Sequence, residues 1–382
     1  LHPRVRRQRQ MCIRDRGQAH TDIRFFSPSY SNRTMRLSIR NCIDGEAVRL
    51  RVSNLEGKKP YRIAEAAIQI EGGQQEKIRF EGKESREVKP GEECYSDAVS
   101  VGVRPRELLV VSMAFDGPVI SGNGIAECVQ CSKKGNYVQE AQFATQHRSK
   151  TACYHDMLQA IPGLSSIEIQ TESDSAHSIV CFGDSITQQS HWTRPLMEEA
   201  LKRRPGQVAV INKGIGGNRL LNGPFMSVMS MFGRSGMERF DRDVLGEAGV
   251  GAVIFALGTN DIGMARNPKK SDWITAEMLE QALGDLVRKC REKKITTYGT
   301  TILPRTGSTG YLKAGEEERI KFNEWVRGTD LFDGCIDFDQ VVRDAQHPEM
   351  LAFSCDSGDH LHPGFLGGER MAQTAAEALL KG

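Results

Sequence analysis

The sequence predicts two units of different architecture: an antiparallel β-sandwich, then a three-layer α/β/α domain on a parallel sheet. Three observations predict this. From Thr34 to Phe115 apolar residues alternate with polar ones in short runs divided by turn signals, as half-buried antiparallel strands do. From about His177 short apolar runs alternate with longer stretches of helical period, as parallel strands with crossover helices do. The 382 residues are also enough for two domains and a sizeable core.

In the first unit Met35, Leu37 and Ile39 share one strand face, and Val48, Leu50 and Val52 another. Ile68 with Ile70, Ile78 with Phe80, and Val99 with Val101 and Val103 repeat the alternation. Asp44-Gly45, Gly57, Gly72-Gly73 and Pro90-Gly91 supply the turns between them. Leu108 to Phe115 is a nearly continuous apolar run and reads as a central strand. The stretch from Ser121 to Ala176 is expected to hold the remaining strands and the linker. In the second unit the expected strands are Ile179–Phe182, Val208–Ile211, Ala252–Leu257, Ile295–Thr301 and Cys335–Phe338. Helical patterns cover Thr193–Arg204, Ala276–Lys293, Glu316–Arg327 and Phe365–Leu380. The expected boundaries are 18–175 for the sandwich and 176–382 for the second domain. Residues 1–17 are arginine-rich and aperiodic, with a string at Met11–Arg16 like translated adaptor read-through. They read as lying outside the fold.

Composition narrows the function classes. Hydrophobic content of 39% and charged content of 26% are ordinary for a globular chain. A net charge of +2 carries no nucleic-acid footprint. No run of roughly 18 apolar residues marks a transmembrane helix. No apolar segment with a cleavage site marks a signal peptide either. Ten cysteines are scattered, and Cys181 and Cys290 sit at core-like positions, which suits a reducing compartment. The expectation is a cytoplasmic location. The alternative is a lost secretion signal, because the N-terminus reads as incomplete. Cys128-x-x-Cys131 with His147, Cys153 and His155 lacks a second ligand pair at zinc spacing.

Chemistry is carried by four separated blocks. Gly183-Asp184-Ser185 follows the first strand of the second unit, and Asn212 to Asn218 follows the second. Gly258-Thr259-Asn260-Asp261 follows the third, and Asp359-His360-Leu361-His362-Pro363 precedes the last helix. Ligands of parallel α/β sheets bind at these strand ends. A serine hydroxyl needs a base to become a nucleophile, and His362 is the candidate. Its other ring nitrogen needs a carboxylate, and Asp359 lies three residues away. The developing oxyanion needs donors, which the N–H groups of Ser185 and Gly217 and the amide of Asn260 can supply. Gly214-Ile215-Gly216-Gly217 fits neither the phosphate-loop nor the dinucleotide pattern. Nor does Ser185 lie in the G-x-S-x-G elbow.

These blocks resemble the SGNH, or GDSL-type, hydrolases over about His177 to Gly382. The family's serine, glycine, asparagine and histidine correspond here to Ser185, Gly217, Asn260 and His362, with Asp359 as its acid. The layout is also similar to bacterial members with a β-sandwich ahead of the hydrolase domain. The resemblance extends to Gly216–Leu221, Arg239–Asp243 and Asp356–Pro363. It implies a serine esterase working through an acyl-enzyme, with no metal or organic cofactor. It also implies short acyl esters, acetylated carbohydrate first among them and lipid esters second.

Other residues near the blocks have two readings each. Asp184, Asn218 and Arg219 are candidates for substrate contact, although Asp184 can instead bond the turn backbone. His360 is structural or substrate-facing, Asp261 bonds its own loop, and Trp192 is pocket wall or core. Phe225, Met226, Met229, Met231 and Phe232 form either an adaptable apolar lid or the core of a loop. The expected partner is a small-molecule or glycan ester, with no nucleic acid and no membrane span. The rival from another class is a carbohydrate-binding protein with a weak hydrolase domain. The sandwich shows no aromatic row on one strand face, so it reads as a packing partner rather than a glycan module.

Overall fold

The computed structural model describes residues 11–17, 31–119, 129–145, 161–223, 232–264 and 273–380. The first unit contains β1 (Met11–Gly17), β2 (Arg33–Arg40), β3 (Ala47–Ser53), β4 (Tyr61–Ile70) and β5 (Glu76–Ile78). It continues with β6 (Arg86–Val88), β7 (Glu93–Tyr95), β8 (Leu108–Asp116), β9 (Val129–Lys134) and β10 (Leu164–Thr171). These form two antiparallel sheets, ordered β1-β10-β3-β7 and β5-β4-β8-β2-β9, with β6 also paired to β4. The apolar run of β8 is central, flanked by β4 and β2. Its Leu109, Val111, Met113 and Phe115 share one core with Leu37 and Ile39 of β2, Leu50 and Val52 of β3, and Ile167 and Ile169 of β10. Alternation therefore puts one face of each sheet into a common interior.

In the first unit the structure departs from the expectation at Met11–Gly17, at Phe80, which lies beyond β5, and at Val99–Val103. Met11–Gly17, read from the sequence as outside the fold, is an edge strand antiparallel to β10. It covers an edge that β10 would otherwise leave unpaired. Val99 to Val103 forms no strand. The Val99 and Val103 N–H groups bond to Val48 and Gly45, but that of Val101 turns back to the Val99 carbonyl and interrupts the ladder.

The second unit runs β11 (His177–Gly183), α1 (Ser185–Gln188), α2 (Thr193–Arg203), β12 (Val208–Gly214) and α3 (Gly236–Phe240). Helix α3 continues into a π-helical turn, Asp241–Leu245, before β13 (Val250–Ala256), α4 (Thr259–Met264) and α5 (Ala276–Glu292). Then follow β14 (Thr296–Thr300), α6 (Lys313–Gly328), β15 (Gly334–Ile336), α7 (Phe338–Val342) and α8 (Phe365–Leu379). Phe338, expected in the last strand, starts α7, because the Asp337 carboxylate caps it by accepting the Gln340 N–H at 3.2 Å.

All five strands are parallel, in the order β12-β11-β13-β14-β15. The chain leaves β11 towards β12 and returns to β11's other side as β13. The C-terminal end of β11 is thus a topological switch point, where such sheets open a crevice. On β11, Val180 and Phe182 face a core completed by Leu279, Leu283 and Leu286 of α5 and Phe322 of α6. Ile179 and Cys181 face the other side, with Leu196 of α2 and Ala372 and Ala376 of α8. That second core is continuous with the sandwich core. Backbone and side-chain bonds reinforce the junction. The Asp44 N–H donates to the Gly206 carbonyl at 3.3 Å, and the Arg106 guanidinium to that of Leu201 at 3.2 Å. Among the described residues no helix is long and apolar enough to cross a membrane, and no group of three or more potential metal ligands occurs.

Candidate active site

Strand β11 ends at Gly183, and Asp184 turns the chain into the single turn of α1. The Asp184 carboxylate caps this turn by accepting the Ile186 N–H at 3.0 Å. This leaves Ser185 at the first helical position, half-buried, at the mouth of the switch-point crevice. His362 reaches it from the loop before α8. Ser185 Oγ lies 2.8 Å from His362 Nε2, and His362 Nδ1 lies 2.6 Å from Asp359 Oδ2. Asp359 Oδ1 accepts the backbone N–H groups of Leu361 and His362 at 3.0 and 2.8 Å. Burial pushes the Asp359 carboxyl up, but these bonds and the His362 ring outweigh it and hold it at about 2. Asp359 is therefore ionised near neutrality and can only accept from Nδ1–H. That fixes the tautomer: Nε2 carries the free lone pair and accepts from the serine hydroxyl.

The donors stand on the neighbouring strand ends. Gly217 follows β12 with φ +70°, a left-handed backbone that suits glycine. Among the described residues the N–H groups of Ser185 and Gly217 have no protein acceptor. The Asn260 amide at the start of α4 donates one hydrogen to the Asn218 carbonyl at 2.9 Å and keeps its second. The serine–histidine–aspartate relay thus forms across two loops, and the candidate donors lie on the loops that follow β11, β12 and β13. The arrangement can deprotonate a hydroxyl, hold the resulting imidazolium, and receive negative charge on an adjacent oxygen.

The flanking polar residues hold the protein's own backbone, and Asp184 also lines a small cavity with Ile186, Leu257 and Thr259. Asp184 and Asn218, expected at the substrate, are buried instead. Asn218 donates to the Phe232 and Arg234 carbonyls at 2.7 and 2.8 Å and accepts from Arg239 at 3.0 Å. Its hydrogen-bonding groups are spent on the loop. Burial raises the Asp184 carboxyl to about 7, nearby Asp261 adding to the rise and the Ile186 N–H and Arg239 opposing it. Burial likewise raises Asp261 to about 6, against bonds from the Leu221 and Leu220 N–H groups. Arg219 is half-buried and donates to the Gly223 carbonyl at 2.5 Å. Trp192 is core, packed edge-on against Phe338. His360 pairs with Asp356 at 2.6 Å on the exposed side of the loop. Phe232 packs beside Gly217. The rest of the expected apolar lid, Phe225, Met226, Met229 and Met231, lies outside the described residues. So do Cys128, His147, Cys153 and His155.

Three positioning residues have no obvious sequence signal. Gln188 Oε1 accepts the Gly216 N–H at 2.9 Å and ties the turn after Ser185 to the glycine loop. The Asn212 amide donates to Thr187 O, Ser190 Oγ and Thr193 Oγ1, holding the end of β12 to the segment joining α1 and α2. Buried Arg239 donates to the carbonyls of Gly183 and Lys213 at 2.8 and 2.9 Å, at the ends of β11 and β12. It also lies 4.1 Å over the Phe182 ring. Only its place in the Arg239–Asp243 stretch marked it beforehand.

Residues 181–370 match the GDSL-like lipase/acylhydrolase family. This stretch of the chain belongs to that family. The protein is accordingly a hydrolase of ester substrates, and its C-terminal domain is an α/β SGNH domain. Similar solved structures include an acetyl xylan esterase from Geobacillus stearothermophilus, at 16% identity over 53% of this chain and 94% of that one, with a TM-score of 0.43. The lipase/acylhydrolase from Enterococcus faecalis is 20% identical over 54% of this chain and 97% of its own, with a TM-score of 0.41. A GDSL-like lipase from Bacteroides thetaiotaomicron is 17% identical over 53% and 86%, with a TM-score of 0.39. No curated protein matches the chain.

Proposed function

We propose that the protein is a serine esterase for short acyl esters of a hydroxyl-rich alcohol, with acetylated carbohydrate the best natural candidate. One observation carries the mechanism: the unbroken relay from Ser185 Oγ through His362 to Asp359, with bonds of 2.8 and 2.6 Å. Ser185 Oγ attacks the ester carbonyl carbon while its proton passes to His362 Nε2. The carbonyl oxygen takes the electron pair, and the Ser185 and Gly217 N–H groups and the Asn260 amide stabilise it. Collapse expels the alcohol, which takes the proton from His362, and leaves an acyl-serine. Water, deprotonated by His362, then attacks the acyl carbon and releases the acid and the free serine.

The polar rim supports a hydroxyl-rich alcohol. Ser357, Asp359 and His360 are exposed beside His362, and Asp356 holds His360 Nδ1, which leaves Nε2 available. A second reading, lipid esters, draws support from Phe353 and Phe365, 97% and 78% exposed on either side of the His362 loop. Hydrolysis of p-nitrophenyl esters from acetate to decanoate, with wild type beside Ser185→Ala, separates the two. The proposal expects turnover highest on acetate and lost in the variant. A rise towards decanoate favours lipid esters. Undiminished turnover by Ser185→Ala overturns the mechanism.

A further inference from the structure

Helix α3 opens with a capping box, in which Ser235 and Glu238 bond each other's backbone N–H groups. It then widens into the π-helical turn, a form that recurs at functional sites. Arg239 and Asp243 lie four apart along one face and form an ion pair of 3.0 Å, both side chains fully buried. The pair continues in both directions. Outward, Arg242 grips the Asp243 carboxylate at 2.8 and 3.2 Å and reaches Glu56 Oε1 at 3.0 Å. Glu56 belongs to the sandwich, in the turn after β3, and its side chain is 22% exposed. Inward, Arg239 Nε donates to Asn218 Oδ1 at 3.0 Å, and the Asn218 carbonyl receives the Asn260 amide at 2.9 Å. Glu56 also lies 3.6 Å from Arg234 Nε, and the Arg234 carbonyl accepts from Asn218. Both arms that leave Glu56 end on Asn218.

We propose that the β-sandwich helps to build the oxyanion site: through Arg242, Asp243 and Arg239, Glu56 fixes the Asn218 turn that aims the Asn260 amide. The inference rests on the esterase reading of the site. Glu56 and Arg239 are positioning residues in it, since neither touches the reacting atoms. The charges alternate from Glu56 to Arg239, so the ladder is neutral as a whole. Removing its outer carboxylate leaves an excess positive charge and frees Arg242 to swing towards water. Arg242 keeps its bonds to Asp243 but loses the anchor that fixes their direction, so Asp243 and the Arg239 paired with it are free to shift on the Asn218 side. The carbonyl that orients Asn260 moves with it. A displacement this small costs turnover rather than binding, because the donor matters most when charge develops.

The test compares Glu56→Gln with wild type in p-nitrophenyl acetate hydrolysis, with melting temperature as the control for folding. The inference expects kcat to fall about tenfold with KM within about twofold, the signature of a lost transition-state contact. In an Asn260→Ala background the same change should cost less than about twofold, because effects along one chain of contacts do not add. Amide hydrogen exchange of residues 214–221 should also quicken in Glu56→Gln, a readout that needs no turnover. Arg242→Gln, which breaks the same link from the other side, should reproduce the pattern. Wild-type hydrolysis with an unchanged kcat in Glu56→Gln overturns the inference, as does an equal loss in the Asn260→Ala background. If the wild type turns over no ester, the esterase reading fails by itself. The exchange result then decides whether the ladder holds the loop.

Discussion

Adding one methyl group at Gly217 tests the donor geometry. An alanine Cβ there would lie 2.4 Å from Phe232 Cδ1 and 2.7 Å from Cε1. The backbone is also left-handed, φ +70°, which costs a residue with a Cβ about 1–2 kcal/mol. Overpacking adds roughly 1–3 kcal/mol, for a total of about 2–5 kcal/mol. Two movements can relieve the clash. Retreat of the Phe232 backbone is opposed because its carbonyl accepts the Asn218 amide at 2.7 Å. Rotation of the 216–217 peptide is easier, and it turns the Gly217 N–H away from the oxyanion. Loss of one such donor lowers kcat by about 10²–10³-fold. The assay is kcat and KM on p-nitrophenyl acetate, with a thermal melt as control. The expected result is a folded variant with kcat down by that factor and KM little changed. Gly216→Ala is the comparison: its backbone is not left-handed, and its Cβ would meet Gln188 Oε1 at 2.8 Å but nothing else closer than 3.9 Å, so its loss should be the smaller of the two. A folded Gly217→Ala with kcat within about threefold of wild type would refute the reasoning.

Two further predictions concern the turns that hold Ser185. Burial keeps the Asp184 carboxyl protonated to about pH 7 in the folded chain, whereas the unfolded chain releases that proton near pH 3.9. The unfolded state then binds fewer protons between these values, so stability falls as pH rises through that window. Asn at 184 can still cap α1 by accepting from Ile186, but it does not titrate. From pH 5 to pH 7 the wild type should therefore lose about 2 kcal/mol more than Asp184→Asn in denaturant unfolding. Parallel stability curves would contradict the assignment. Gln188→Leu keeps the side-chain volume but removes the acceptor of the Gly216 N–H, and kcat should fall up to about tenfold with KM nearly constant. A rise in KM alone would show that Gln188 contacts substrate instead.

Much of this site is legible in sequence because its chemistry sits at strand ends. Apolar runs such as Ile179–Phe182 locate the strand, and the polar residue types just beyond each run locate the loop. Ser185, Gly217, Asn260 and His362 could be named because each block follows or precedes a recognisable element. The supporting bonds could not be named in this way. Arg239 meets Gly183 across 56 residues, and Asn260 meets Asn218 across 42, and no period records such pairings. The backbone bonds of Asp184 and Asn218 are illegible for a related reason. A polar side chain beside a nucleophile looks like substrate contact, but loops that turn inside a protein must satisfy their own backbone groups. Asn218 spends its side chain on that task, and Asp184 caps α1 with one carboxylate oxygen. Val99 to Val103 alternates like a strand, yet one backward hydrogen bond at Val101 removes it from the ladder.

The central claim is that Ser185, activated by His362, forms a covalent acyl-enzyme. The most direct test is to treat the protein with p-nitrophenyl diethyl phosphate, whose phosphorus takes the serine oxygen and expels p-nitrophenolate, and to map the adduct by mass spectrometry. The account predicts a single diethylphosphoryl group on Ser185, appearing as esterase activity disappears, and labelling slowed about 10⁴-fold or more in His362→Ala. Activity that survives stoichiometric labelling, or an adduct at another residue tracking the loss of activity, would contradict it.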